Sequence, residues 1–380
     1  MKRMPTFSLI GAFLVVVLLV AVVTVGCGTA SQSAAQAQAG PTTPQGILQQ
    51  ALANAGQVTG GTGDINMSLT ITGDQTKMPG GAGALLGQPI KLSGTYSFDK
   101  TAQAAQASLN AAIAGQSLPV GFEAVNGQAW LQFMGQWYQT PASTDKAGDT
   151  TTTGQVPNAA SIQQALTAAG VDPSTWLTDL KLVGEETIKG SATSHLSATV
   201  NMSQIASDLP KLAASGALKG LIPSGAESTE STAPGSSTSE SMPTQQELQQ
   251  LESSLPTVVQ SLMLDIWVTK DTYQIRQLEV KASIVPPAES AQSESTTSES
   301  TATTESPAQA ATKAALQGLV QGIKSVSLDA TVSLTPATTP LKVTPPTGAK
   351  PWSDLQTTLQ GYMSMFSGAL GGGSTSTSGQ

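Results

Sequence analysis

Short segments in which apolar and polar residues alternate recur along most of this chain. In the clearest of them, residues 65–72, every second residue from Ile65 to Ile71 is large and apolar. Successive side chains of a β-strand point to opposite faces of its sheet, so each such segment predicts a strand with one buried face. Buried parallel strands are apolar on both faces, and this pattern therefore favours an antiparallel sheet.

The alternating segments are separated by turn residues, which predicts that most neighbouring strands form hairpins. One of these turns, at Asn126-Gly127, is the pair that favours the tight primed turns matching strand twist. The predicted strands are 65–72, 90–98, 102–113, 118–125, 128–134, 136–140, 180–188, 194–202, 262–268, 273–284, 326–334 and 340–344.

Other segments carry apolar residues at helical spacing. A sheet with one apolar face must cover that face, and the N-terminal helix with the helices at 158–220 are the expected cover. The fold class predicted is thus α+β. The predicted helices are 44–57, 158–180 with a break at Asp172-Pro173, 203–220, 245–259, 310–323 and 353–367.

The first residues have the pattern of an export signal. Lys2 and Arg3 precede an apolar run at 7–25, and Gly26 stands before Cys27, the only cysteine. This predicts a lipoprotein signal peptide at 1–26, a lipid-modified Cys27 and a flexible tether at 27–43, on the extracytoplasmic face of the cell membrane. Two or more acyl chains on one cysteine would give stable anchoring.

Two other interpretations of this N-terminus stay open. The apolar run approaches the roughly 20 residues that a transmembrane helix needs, so it can be an uncleaved anchor. A plain secretory signal would instead leave Cys27 as a free thiol. The lipobox is the short motif around the cysteine that becomes lipid-modified in a lipoprotein. It usually has Leu three residues before the cysteine, where this chain has Thr24.

Residues 44–370 are predicted to form one domain, interrupted by two insertions and followed by a tail at 371–380. The insertions, 223–243 and 286–307, consist mainly of Ser, Thr, Glu and Pro and nearly lack large apolar residues. Such segments cannot bury enough surface to order themselves, which predicts disorder in both.

Charge and chemistry narrow the classes of function. The net charge of −8 argues against nucleic acid as a partner. The single histidine, His195, lies in a predicted strand without a G-x-S-x-G motif, which favours a strand-surface histidine over a catalytic one. With no second histidine and the cysteine committed elsewhere, neither a metal site nor a cofactor is predicted. The adjacent Glu185 and Glu186 would point to opposite faces. The chain is therefore predicted not to be an enzyme.

The apolar strand residues suggest another kind of site. A curved sheet whose apolar face is incompletely filled by helices leaves a cavity suited to small apolar ligands, although for any single residue simple core packing is the favoured explanation. The residues expected to line this cavity are Leu92, Tyr96, Phe98, Trp130, Leu264, Ile266 and Val268.

Several segments resemble, in order, the LppX/LprAFG lipoproteins of actinobacteria, which are similar in fold to the LolA and LolB lipoprotein carriers. They span most of residues 44–349. The two insertions and the helix after residue 352 depart from the pattern. The segments are the lipobox at Cys27, ILQQALANAGQV leading into DINMSLTIT, AVNGQAWLQFMGQWYQTP, LVGEETIKGSATSHLSATVNM, LDIWVTKDTYQIRQLEVKASI and SLDATVSLTPATTPLKVTPPTGA.

The resemblance implies a half-barrel: a large curved antiparallel sheet wrapped on helices, with an apolar cavity. It also implies binding of acylated lipid or glycolipid and help in carrying it across the cell envelope, with a membrane lipid exporter as a further partner. The leading hypothesis is a non-enzymatic lipid carrier. The alternatives are a structural or interaction lipoprotein with a filled core and, last, an exported hydrolase.

Overall fold

The computed structural model describes residues 40–77, 83, 86–113, 115–141, 166–215, 245–286 and 322–371. The predicted signal peptide, Cys27, most of the tether and the insertion at 223–243 lie outside these residues. So do all but the first residue of the insertion at 286–307, nearly all of the predicted helix at 310–323, and the tail after residue 371.

The described residues form thirteen strands that belong to one sheet. The strands are β1 (Gly60–Gly73), β2 (Pro89–Asp99), β3 (Ala104–Ile113), β4 (Gln116–Val125), β5 (Gln128–Phe133), β6 (Gln136–Gln139), β7 (Leu177–Ile188), β8 (Ser191–Val200), β9 (Val259–Thr269), β10 (Ile275–Ile284), β11 (Ile323–Ser333), β12 (Thr335–Pro336) and β13 (Lys350–Pro351).

Neighbouring strands follow the order β13-β6-β5-β4-β3-β2-β1-β11-β10-β9-β8-β7, and β12 pairs with β1. Every pair is antiparallel except β13 with β6. The two end strands do not pair with each other, so the sheet stays open. The predicted α+β fold with a large, curved, antiparallel sheet is confirmed.

A long-range ion pair reflects the curvature. Lys189, in the turn between β7 and β8, pairs with Asp64 on β1. Strands in a sheet are spaced by about 4.8 Å, so four spacings separate β8 from β1 by roughly 19 Å along a flat sheet. The pairing therefore requires that the β7–β8 hairpin fold toward β1.

The predicted strand at 340–344 is wrong, because these residues have no regular structure. The chain instead leaves β11 through β12, where Pro336 lies opposite Gly61, and pairs again only at β13. Proline lacks the N–H that a sheet ladder requires, and Pro340 with the pair at 345–346 limits pairing in this segment.

The described residues include the α-helices α1 (Pro44–Ala55), α2 (Met202–Ala214), α3 (Gln245–Val258) and α4 (Trp352–Gly371). The side chain of Thr43 accepts a hydrogen bond from Gly46 N and begins α1, with Pro44 in the first turn. Asn201 caps α2 in the same way, through Gln204 N. Residues 158–165 of the predicted helix at 158–180 lie outside the described residues, and its predicted end is wrong, since β7 begins at Leu177.

The main core lies between the helices and one part of the sheet. Side chains from α1, α2 and α3 form a single buried cluster with residues of β8, β9, β10 and β11. At its centre Ala51, Leu196, Leu255 and Val268 are fully buried. Closely packed interiors of this kind tolerate little change of side-chain volume.

Candidate functional site

The apolar side chains of the sheet share one face, here called the inner face and defined by Leu196, Leu264, Leu278 and Ala330. Residues directly opposite each other in antiparallel strands lie on the same face, so the strand register extends this face across the sheet. One row of directly paired residues runs across eight neighbouring pairs of strands: Leu196, Ile266, Leu278, Val332, Ile65, Gly94, Leu109, Val120 and Phe133.

Burial along this row divides the sheet into two halves. Leu196, Ile266 and Leu278 are 0%, 1% and 3% exposed, in the covered half formed by β8–β11. From Val332 on β11 onward the row is only half-buried, including Leu109 and Val120. The same apolar face therefore continues beyond the part that the core cluster buries.

The open half, formed by β2–β6, carries no charged side chain on its inner face. Its large apolar residues there are half-buried, apart from the buried Tyr138 and the exposed Ile113 at the end of β3. They are Ile90, Leu92, Tyr96, Phe98, Leu109, Ile113, Leu118, Val120, Phe122, Leu131, Phe133 and Tyr138.

The principal helix contacts with the sheet lie outside the centre of the open half. Helix α1 packs on β7 and β9, and α3 packs on β9. Helix α4 packs on β6 and β13, where Leu355 is fully buried. Among the described helices, none has its main sheet contact on β2, β3 or β4.

The structure separates the seven residues expected to line a cavity into three groups. Leu92, Tyr96 and Phe98 lie on the inner face of the open half. Leu264, Ile266 and Val268 share that face but belong to the buried core cluster, with at most 1% of each exposed.

Trp130 lies on the opposite, outer face, because it pairs with Glu123 and Gln139, whereas the neighbouring Leu131 pairs with Phe122 and Tyr138. The expectation that Trp130 shares a surface with Leu92 is thus corrected by the register. The turn at Asn126-Gly127 contained this signal: pairing Val125 with Gln128 also pairs Glu123 with Trp130.

Tyr96 is the polar group at the border of the two halves. Its hydroxyl donates a hydrogen bond of 3.0 Å to the backbone oxygen of Ser333, and its ring stacks on Phe98. A Cβ added to Gly63 would lie 2.6 Å from this ring, so the ring crosses β1 where no side chain stands. Burial, together with the nearby charge of Asp64, raises the pKa of Tyr96 to about 12.

His195 lies on the outer face of the covered half and is mostly buried, with 13% of its side chain exposed. Its Nδ1 is 2.9 Å from Glu186 Oε1 and its Nε2 is 3.1 Å from Asp265 Oδ1, while its ring stacks on Trp267. Both nitrogens thus contact carboxylates, and no hydrogen bond within the described residues joins His195 to a serine. The prediction of a strand-surface histidine missed this network of four side chains.

The described residues lack two further kinds of site. No group of three or more His, Cys, Asp or Glu side chains there could hold a metal ion. None of the described helices has the length and hydropathy that crossing a membrane requires.

Comparison with known proteins gives similarity in structure alone. No protein-family model matches the chain, and no curated protein matches it. The structure is similar to the lipoprotein LppX of Mycobacterium tuberculosis, with a TM-score of 0.32 and 8% identity over 79% of this chain and 98% of that one. It is also similar to LprF from Mycobacterium bovis, with a TM-score of 0.30 and 11% identity over 80% and 97% of the two chains.

A third similarity is to the Pseudomonas aeruginosa MucA/MucB complex, with a TM-score of 0.24 and 10% identity over 62% of this chain and 50% of that one. LppX and LprF belong to the lipoproteins that the sequence itself resembles. At these TM-scores the overlap assigns no function to this chain.

Proposed function

We propose that this protein is a lipid-anchored extracytoplasmic lipoprotein that binds the acyl chains of a lipid or glycolipid and helps carry it across the cell envelope. Cys27 is the proposed anchor, and the inner face of the open half is the proposed acyl-binding surface. The proposal includes no catalytic step. A membrane lipid exporter is the proposed source or recipient of the lipid.

The observation that carries the proposal is the change in burial along one apolar row. Leu278 is buried by the core cluster, whereas Leu109 and Val120 in the same row stay half-exposed. Burial of apolar surface contributes about 25 cal/mol per Å², or about 0.8 kcal/mol per methylene group. An acyl chain that lies along β2–β5 would thus bind more favourably with each methylene group that it buries.

The chemistry of the surface fits an acyl chain better than a polar ligand. The inner face of β2–β5 presents aliphatic and aromatic groups, with the Tyr96 hydroxyl already bonded to Ser333. Ligand sites are usually apolar surfaces with few polar groups that fix orientation. A polar headgroup would therefore lie toward the edge of this surface rather than on it.

A second candidate is a structural or interaction lipoprotein that binds no lipid. The burial of Leu264, Ile266 and Val268 favours it, because this part of the expected cavity wall is a filled core. The two candidates differ in what contacts the inner face of the open half.

A matched pair of substitutions at neighbouring positions tests the proposal. Leu109 faces inward, whereas the adjacent Asn110 is exposed on the outer face. Leu109→Asp and Asn110→Asp add the same charge to opposite faces of β3. The measurement is the titration of a fluorescent fatty-acyl probe into the soluble form that begins at Gly28.

We expect the parent and Asn110→Asp to bind the probe with similar affinity, and Leu109→Asp to bind it at least about tenfold more weakly, since a charge beside an acyl chain lacks a partner. If Leu109→Asp melts at a much lower temperature than the parent, the uncharged variant Leu109→Gln replaces it in the binding measurement. Equal binding by all variants, or no binding by the parent, would favour the second candidate.

A further inference from the structure

The open half also bears a pocket on its outer face, opposite the proposed acyl surface. The pocket spans β2 to β6 and has a volume of about 320 Å³. Its wall is formed mainly by hydroxyl and amide side chains, one carboxylate and one indole ring. Its outer-face side chains are those of Thr95, Ser97, Gln106, Ser108, Glu123, Gln132 and Trp137.

The strand register explains how these side chains come together. Thr95, Ser108, Gly121, Gln132 and Trp137 form one row of directly paired residues across five strands. Gly121 supplies the floor, because a Cβ added there would lie 2.9 Å from Gln132 and 3.2 Å from the ring of Trp137. The indole thus lies close to the backbone of β4.

Glu123 sets the charge of the pocket. It lies in the adjoining row, beside Gln106 and Trp130. Its Oε2 is buried without a hydrogen-bond partner, and none of the ion pairs within the described residues includes it. Among the described residues, no lysine, arginine or histidine lines the pocket. A carboxylate oxygen held away from water without a partner is costly, and a cationic ligand would offset that cost.

We propose that this pocket binds a small organic cation through a primary ammonium group. The ammonium donates a charge-assisted hydrogen bond to the Glu123 carboxylate, and the face of Trp137 attracts the same charge. Hydroxyl and amide oxygens of Ser97, Gln106 and Gln132 are the acceptors available to its two remaining N–H groups. The charge of Glu123 would repel an anion here.

The volume limits the size of the ligand. Ligand pockets commonly measure about 300–1,000 Å³, so this one suits a molecule at the small end of that range. Free amines and the headgroup of an aminophospholipid both carry a primary ammonium, and they differ in whether the ligand is dissolved or held in a membrane. The site is separate from the acyl surface, so either can fail without the other.

The test uses the full chain in detergent micelles and two probes that differ in one group. Ethanolamine carries an ammonium where ethylene glycol carries a hydroxyl. Binding is measured by ligand-observed NMR, as saturation transfer from protein to probe. A second arm measures binding of the chain to vesicles of phosphatidylethanolamine and of phosphatidylcholine, which lacks a primary ammonium.

Three variants locate the site. Glu123→Gln removes the charge with little change of shape, and Trp137→Leu removes the ring while keeping the charge. Asp329→Asn is the matched control, because Asp329 is an exposed carboxylate on the same outer face, on β11. The melting temperature of each variant is measured alongside binding.

We expect saturable saturation transfer to ethanolamine and little to ethylene glycol. The affinity for ethanolamine should be lowered at least about tenfold by Glu123→Gln, lowered less by Trp137→Leu, and unchanged by Asp329→Asn. A preference for phosphatidylethanolamine vesicles that depends on Glu123 would identify the membrane source. Equal transfer to both probes would show a site for neutral hydroxyl compounds and overturn the proposal. Absence of transfer, or equal binding by Glu123→Gln, would overturn it too.

Discussion

Met67 and Leu92 lie directly opposite each other on β1 and β2, and the border of the core falls between them. Met67 packs against the buried core cluster, whereas Leu92 does not belong to it. Both side chains are half-buried on the inner face. The division between the covered and open halves thus occurs within one apolar row. It depends on which strands the helices cover, because the side chains on the two sides of the border are equally apolar.

The first prediction uses this border. Leu264→Trp adds volume inside a filled core, where overpacking costs about 1–3 kcal/mol of unfolding free energy. Leu92→Trp adds the same volume on the open half, where the ring has space. Denaturant unfolding should show a clear decrease in the free energy of unfolding for Leu264→Trp and a much smaller decrease for Leu92→Trp. Equal losses at both positions would mean that the open half is as tightly filled as the core.

The second prediction concerns the ionisation of Tyr96. Its pKa is raised to about 12 by burial and by the charge of Asp64, so folding favours the neutral phenol. The stability that this group contributes is complete below the ordinary tyrosine pKa and is lost as pH rises toward 12. Absorbance titration of the parent and of Tyr96→Phe should differ by one tyrosine that ionises late. If Tyr96→Phe instead lost a tyrosine that ionises at the ordinary pKa, the result would contradict the assignment of the raised pKa to Tyr96.

The third prediction concerns Asp208, which attaches α2 to the segment before β7. Its Oδ2 accepts a hydrogen bond of 2.9 Å from the buried Trp176 indole, and Lys211 donates one of 2.6 Å to Oδ1. Burial alone would raise the pKa of Asp208, but hydrogen bonds from Lys211, Trp176 and Gln204 outweigh it and the pKa is lowered.

A lowered pKa contributes stability that is present above the ordinary aspartate pKa and is lost as pH falls through the lowered value. Asp208→Ala should therefore destabilise the protein by about 1–3 kcal/mol at neutral pH, since it leaves the buried indole without an acceptor. The loss should shrink in acid. Urea unfolding across a pH series checks this, and a loss that does not vary with pH would assign the effect to packing alone.

The fourth prediction concerns the anchor, which lies outside the described residues. If Gly26-Cys27 is a lipoprotein processing site, the mature chain begins with a lipid-modified Cys27, and Cys27→Ser gives an uncleaved or released protein. Intact-mass measurement of the membrane form decides between these states. A full-length chain with an unmodified cysteine would favour a transmembrane anchor instead.

The sequence predicted most strands because their periodicity is local. Alternation at 65–72 and the turn at Asn126-Gly127 gave β1 and the β4–β5 hairpin, and both turn residues have the positive φ that a primed turn requires, 51° and 78°. The prediction of a strand at 340–344 was wrong because periodicity does not show whether another strand has unpaired backbone groups available to pair with this segment. That partner is fixed by distant parts of the chain.

The site was harder to predict because it depends on which strands the helices cover. Leu92 and Leu264 have equivalent patterns in the sequence, yet one is half-exposed and the other 1% exposed. The contacts of His195 with Glu186 and Asp265 join residues 9 and 70 positions apart, a separation that no local pattern encodes. The orphan oxygen of Glu123 likewise appears only once the strands are aligned.

Native mass spectrometry of the soluble form beginning at Gly28 tests the central claim most directly. If the open half binds acyl chains, the parent should carry a co-purifying mass of one acyl lipid, removable by organic extraction, and Leu109→Asp should lose it while Asn110→Asp keeps it. A clean apo mass for the parent, together with no uptake of added fatty-acyl probe, would contradict the account and leave a structural lipoprotein whose inner face binds no lipid.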